Sequence, residues 1–382
     1  MMRRWMAFVL CVSVIGLSVA CGSPKEATSK ERDMNISSEL TYSHSMETVY
    51  AEKFSIDYYE DGYALLTIAD GSRFLVVPEE MDAPADLMED IMILQKPVEN
   101  VYLVASAVMD MFVSLDALAM LRFSGLKADG WYIEEAREAV ESGELLYAGN
   151  YVAPDYEQIV SKGCDLAIEN TMISHNPEVK EQLERLQIPV LVDYSSYETE
   201  PLGRTEWVKL YGLLAGKEAE AEQAFQAEMD AVNSFSDEES SGQTVAFFYI
   251  TTNGEANVRK STDYLPRMIE MAGGSYIFEE LGAEEENASS TVTMQMEEFY
   301  ASAKEADYII YNSAIEGELS SVEELVAKSS LLENFKAVQE GKVYCTTKNL
   351  YQSSMALGTM IQDIHKMLSG EEDGFTYLYR LN

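Results

Sequence analysis

Alternating apolar and polar residues mark Phe54–Tyr59, Tyr63–Ala69 and Arg73–Val77 as strands with one buried face. Asp61-Gly62 and Asp70-Gly71 separate these runs, and Asp-Gly pairs supply the tight turns that join antiparallel neighbours. A β-meander over 54–77 is therefore predicted. Beyond Pro97 the pattern changes. Short apolar runs at Val101–Ala105, Leu145–Ala148, Leu166–Ile168 and Val190–Val192 read as strands, and Pro177–Leu186 reads as a helix between the last two. Strand, helix and strand in that order imply a parallel sheet with right-handed crossovers. A second series, Val245–Ile250, Tyr308–Tyr311 and Val343–Cys345, alternates with helical patterns near Leu265–Ala272, Val322–Ala327 and Ser354–Leu368. Two such series predict two lobes.

Between them lies the longest helical pattern. Trp207, Leu210, Tyr211 and Leu214 recur at i, i+3, i+4 and i+7, and Phe225, Met229 and Val232 continue the stripe past Gly216. Ser234–Gly242 then ends it with small and acidic residues. A helix crossing from one lobe to the other is expected, with an ordinary surface helix as the alternative.

The first residues change the picture of where the chain works. Arg3 and Arg4 precede an apolar stretch from Trp5 to Ala20, the layout of a secretory signal, and that stretch is shorter than a bilayer span. Ser18-Val19-Ala20-Cys21 resembles the lipobox of bacterial lipoproteins, which implies acylation of Cys21 and a lipid anchor on the extracytoplasmic face. The expected organisation is a signal over 1–20, a lipidated tether over 21–40, an N-terminal lobe over 41–204, a linking helix region over 205–235 and a C-terminal lobe over 242–382.

Composition narrows the partners. The chain carries 66 acidic against 27 basic residues, a net charge of −39 that becomes −41 once Arg3 and Arg4 leave with the signal. Such a surface repels nucleic acid and anionic membranes, so a covalent anchor must supply membrane attachment. Only His44, His175 and His365 occur, scattered along the chain, which disfavours a bare transition-metal site built from converging histidines. Cys164 and Cys345 are too few for a disulfide framework and read as buried thiols. Gly212 to Glu218 is a residue short of a phosphate-binding loop and has Glu where Ser or Thr belongs. No Gly-x-Ser-x-Gly elbow occurs either, so no enzyme is predicted.

Several segments, in order, resemble the class III solute-binding proteins of ABC importers, the Fe/B12 periplasmic-binding domain that takes siderophores, cobalamin or haem. Tyr147–Ile168 is similar to that family's strand, Gly149, Pro154, Glu157 and Asp165-Leu166 pattern, with Cys164 where proline is usual. Leu183–Val190 resembles its leucine-rich helix before a Pro-Val strand, with Gln187 in place of Gly. Met271-Ala272-Gly273-Gly274 and Met296–Ile310 resemble the corresponding pieces of the second half. The resemblance spans Pro97 to Leu368 and implies two Rossmann-like lobes with parallel sheets joined by a long crossing helix. The meander is then an elaboration of the first lobe.

It also implies a role for particular residues: Glu157 and Glu297, with Glu298 as a neighbouring alternative, dock on arginines of a permease dimer that works with its ATPase. The ligand is expected between the lobes, at the carboxyl ends of the parallel strands. Loops there supply Met109, Tyr151, Met172, His175, Tyr194, Arg204, Arg259, Tyr264 and Tyr351. Aromatic and thioether groups suit a flat or hydrophobic chelate, and arginines can clamp its carboxylates. His175, Tyr151 or Tyr194 could each give one axial ligand to haem iron. No intrinsic cofactor is expected, and a monomer is. The alternatives are a sensing lipoprotein of the same fold without a transporter, or one that processes a tetrapyrrole or siderophore.

Overall fold

The computed structural model describes residues 35–236, 238–283 and 290–382, so the expected signal, Cys21 and the tether up to residue 34 lie outside the described residues. The first sheet runs in chain order: β1 (Tyr42–Ser45), β2 (Phe54–Tyr59), β3 (Ala64–Ile68), β4 (Arg73–Val77) and β5 (Ile91–Gln95). The predicted meander is its centre. β5 returns parallel to β4, whereas the other neighbours pair antiparallel. Phe54, Ile56, Leu66, Phe74 and Val76 pack into the main core, while Tyr59, Leu65, Leu75 and Val77 form a smaller one with Ile36. Burial of both faces explains the unbroken apolar run Ala64-Leu65-Leu66.

The second sheet is wholly parallel. It contains β6 (Val101–Leu103), β7 (Leu121–Ser124), β8 (Leu146–Tyr147), β9 (Ala167–Asn170) and β10 (Val190–Asp193) in the order β10-β9-β6-β7-β8. Its helices are α1 (Met109–Ser114), α2 (Glu134–Ser142), α3 (Tyr156–Ser161) and α4 (Pro177–Arg185). The strand order reverses direction between β6 and β9, and doubly wound sheets open a ligand crevice at the carboxyl ends beside such a switch point.

The predicted single crossing helix is corrected. Residues 201–233 form three helices, α5 (Pro201–Glu206), α6 (Val208–Ala215) and α7 (Glu218–Asn233). Gly216 adopts a left-handed conformation, φ 67°, which ends α6 because a left-handed glycine caps a helix at little steric cost. α7 then folds back on α6: a Cβ added at Gly212 would lie 2.5 Å from that of Ala221. Trp207, Leu210 and Tyr211, which the periodicity singled out, are fully buried.

The third sheet has β11 (Thr244–Ile250), β12 (Ala256–Arg259), β13 (Ser275–Tyr276), β14 (Thr291–Met294), β15 (Tyr308–Tyr311), β16 (Val343–Thr346) and β17 (Leu378–Arg380). The predicted strands β11, β15 and β16 are its parallel centre; β12, β14 and β17 add antiparallel neighbours. Helices α8 (Tyr264–Met271), α9 (Met296–Ala303), α10 (Ser313–Glu316), α11 (Val322–Lys328), α12 (Lys336–Gln339) and α13 (Leu357–Leu368) complete this lobe. No described helix is long and apolar enough to cross a membrane.

Candidate ligand-binding site

The lobes meet along a polar seam. Gln352, in the loop after β16, accepts a hydrogen bond from Tyr132 N at 2.8 Å and donates to Gly130 O at 2.8 Å. Ser354 Oγ donates to Ala107 O at 2.6 Å, and Met355 N to Asp110 Oδ2 at 2.8 Å. Residues 107, 130 and 132 lie in the connections that follow β6 and β7, and Asp110 is in the first turn of α1, directly after β6. The seam therefore joins segments at the carboxyl ends of strands in both parallel sheets.

A basic and aromatic group sits beside the seam. Arg204, on α5, donates to Ser196 O at 3.4 Å and lies 3.8 Å above the Tyr264 ring of the other lobe. Arg259 hydrogen-bonds to Tyr351 Oη, stands over that ring at 5.2 Å, and pairs with Asp263 at 3.6 Å. Asn312 Nδ2 also donates to Tyr351 Oη, at 2.7 Å. Stacked on an aromatic face, the Arg204 guanidinium has further donors for a planar anionic group, whereas those of Arg259 are engaged by Tyr351, Asp263 and, at 3.1 Å, Ser290 Oγ. In so acidic a chain, a pair of arginines here is a local exception.

The sequence-predicted residues fall into distinct places. Arg204, Arg259, Tyr264 and Tyr351 converge through these contacts, although Tyr264 is buried beneath Arg204. Tyr194 is half-buried and its ring lies 5.7 Å from that of Tyr197. Tyr151 is half-buried against the core of the second sheet; Met172 and His175 are exposed in the loop after β9. Met109 corrects the expectation of a ligand contact. It has no exposed surface, because the first turn of α1 drives it into the main core.

Glu157 and Glu297 are exposed in the first turns of α3 and α9. A carboxylate is stabilised there by the helix N-terminus, a reason for glutamate at these positions even without a partner. Asp155 caps α3 through Gln158 N at 3.0 Å. Gly149 shapes the preceding loop: its φ is +82°, and an added Cβ would meet Ala153 O at 2.1 Å. His365 is structural, stacked on Phe235 with ring centroids 4.2 Å apart.

Four carboxylates escaped the sequence reading. Asp193, at the end of β10, is buried and accepts from Ser195 Oγ at 2.5 Å and Tyr211 Oη at 2.6 Å. Glu169 is buried in β9 with no hydrogen-bond partner among the described residues, and burial pushes its carboxyl up to about 8. Glu198, in the loop before α5, and Glu206, the last residue of α5, are buried and receive backbone N–H groups from residues 49–53. Only Asp193 carried a usable signal, as an acid closing an apolar strand run. Among the described residues no group of three or more His, Cys, Asp or Glu side chains converges as a metal site.

Known proteins extend these observations. An uncharacterized lipoprotein of Methanocaldococcus jannaschii is 23% identical over 406 aligned positions, covering 97% of this chain and 94% of its own. The periplasmic haem-binding protein of Vibrio cholerae superposes with a TM-score of 0.56 at 15% identity, over 69% of this chain and 97% of its own. An ABC-type ferric-hydroxamate transport protein of Saccharomonospora viridis gives a TM-score of 0.54 at 16% identity, over 71% of this chain and 93% of its own. Identities this low establish the shared fold. A family profile described as periplasmic binding protein matches residues 115–350, from the end of α1 to the loop after β16. Those boundaries take in the second sheet from β7 onward, the three linking helices and the parallel centre of the third sheet, and the chain belongs to the periplasmic binding protein family, with the fold of its class III ABC-importer solute-binding members.

Proposed function

We propose that the protein captures a metal chelate of the ferric-siderophore, haem or cobalamin type between its lobes and delivers it to an ABC permease dimer and its ATPase. Acylated Cys21 holds it on the extracytoplasmic face of the membrane, and it acts as a carrier rather than an enzyme. One observation carries the ligand class. Apolar side chains stand uncovered in or beside the carboxyl-end loops of the parallel strands, at Tyr147, Val152, Met172, Tyr197 and Ile315, with Arg204 and Arg259 in the same cleft region. Uncovered aromatic and thioether surface beside arginine suits a large, partly apolar anion. The relatives' names support the setting: one is a lipoprotein, and two structural neighbours take haem and ferric hydroxamate.

Docking is assigned to Glu157 and Glu297, one per lobe, because charge-assisted bonds from two separated carboxylates to arginines fix orientation as well as affinity. Thermal unfolding in the presence of haemin, cobalamin or a ferric hydroxamate tests the ligand. A cognate ligand at 100 times its dissociation constant adds about 2.7 kcal/mol of stability. No shift with any of them contradicts the reading. Transport, but not binding, should be lost in the Glu157→Ala, Glu297→Ala double variant.

A further inference from the structure

We infer that the N-terminal sheet forms a third wall of the ligand cleft, with the β3–β4 turn at Asp70 on its rim and Glu198 as the positioning residue that holds it there. The matched family profile begins at residue 115, so this sheet lies outside it. The inference deepens the chelate-binding reading and rests on it.

Two buried carboxylates attach the sheet to the loop and helix that follow β10. Backbone N–H groups of Val49, Tyr50 and Ala51 converge on Glu206 at 2.8–3.0 Å. Those of Glu52 and Lys53 converge on Glu198 at 2.9–3.1 Å. Successive amides aimed at one point form an anion-binding nest, and here the protein's own side chains occupy two in a row. Trp207 Nε1 donates to Glu198 at 3.0 Å, and Lys209 pairs with Glu206 at 3.1 Å. At Gly203 a Cβ would lie 3.1 Å from Tyr50 O, so a bare backbone lets the loop press on α5.

The attachment propagates to the cleft. Lys53 O accepts Ala69 N at 2.9 Å, which fixes the β3–β4 turn to the clamped loop. Asp70, in that turn, pairs at 3.9 Å with Lys180 in the first turn of α4, the end nearest the strand carboxyl termini. Burial raises the Tyr194 phenol pKa, and the charge of Asp70 raises it further, which places that carboxylate within electrostatic reach of the ring. Tyr194 and Tyr197 are on the loop between β10 and Glu198, and Tyr197 is 44% exposed. Asp70, Lys180, Tyr194 and Tyr197 thus share one corner of the cleft.

Full-length protein in detergent micelles provides the test. It is titrated with haemin, whose propionates are anionic, and with ferrioxamine B, which is cationic. Replacing one negative charge on the rim by a positive one, Asp70→Lys, should tighten haemin and weaken ferrioxamine B about threefold or more each, with the effect shrinking at high salt. For a ligand that alone binds, its own sign decides. In Glu198→Gln, amides of residues 52–53 and 69–72 should gain hydrogen exchange together. Unchanged affinities in Asp70→Lys, shifts of both ligands in one direction, or a turn still protected in Glu198→Gln would overturn the inference. Unaltered protein that binds neither chelate nor cobalamin removes the underlying reading, and the rim's role falls with it.

Discussion

Removing the Glu169 carboxyl from water without a partner favours its neutral form, and burial holds it at about 8. The folded protein therefore keeps a proton that an unfolded chain releases near pH 4.3. Its contribution to stability is complete below that value and is lost as pH rises through about 8. Asp110, pushed up to about 6, and Glu228, pushed up to about 7, act in the same direction, again through burial first. Denaturant midpoints should fall as pH rises from about 5 to about 9, and Glu169→Gln should flatten the slope. An unchanged slope in that variant would show that another group governs it. Little of this was legible beforehand, because an acid inside the run Leu166–Asn170 looks like any strand-end carboxylate until packing buries it.

The clamp on the linking helices belongs to a larger scale. Glu206 has no exposed surface and satisfies three successive backbone donors together with Lys209. Truncating it leaves those amides without their acceptor and Lys209 with Glu222 alone, at 2.9 Å, so Glu206→Ala should cost on the order of 3–5 kcal/mol in chemical denaturation. A cost below about 1 kcal/mol would place the clamp among surface ion pairs. Element positions were largely readable where apolar runs were long: β2, β4 and β15 fall where the pattern put them. β7, as Leu-Arg-Phe-Ser, and β14, as Thr-Val-Thr-Met, are short and partly polar, and only pairing with neighbours makes them strands. The linking region misled for a related reason. Its apolar stripe is continuous on both sides of Gly216, yet the left-handed turn there converts one expected rod into helices packed on each other.

At the level of the whole molecule, three linking helices and the seam at Gln352, Ser354 and Met355 oppose large lobe movement. X-ray scattering with and without haemin should give nearly the same radius of gyration, whereas a hinge closing widely would contract it measurably. Alternation and turn chemistry alone determined that the chain holds a meander and two αβ series, because burial period and Asp-Gly turns are local properties. Ordered motifs identified the family, whereas the contacts that join Arg204 to Tyr264 and Arg259 to Tyr351 depend on α5, β12 and α8 meeting in the fold. Only the tertiary structure decided that Met109 is core, that the linker is broken, and that acids at 169, 198 and 206 are buried. The reason is physical: partners of Glu198 and Glu206 lie about 150 positions away along the chain, and no local pattern records which amides a folded backbone will turn toward a carboxylate.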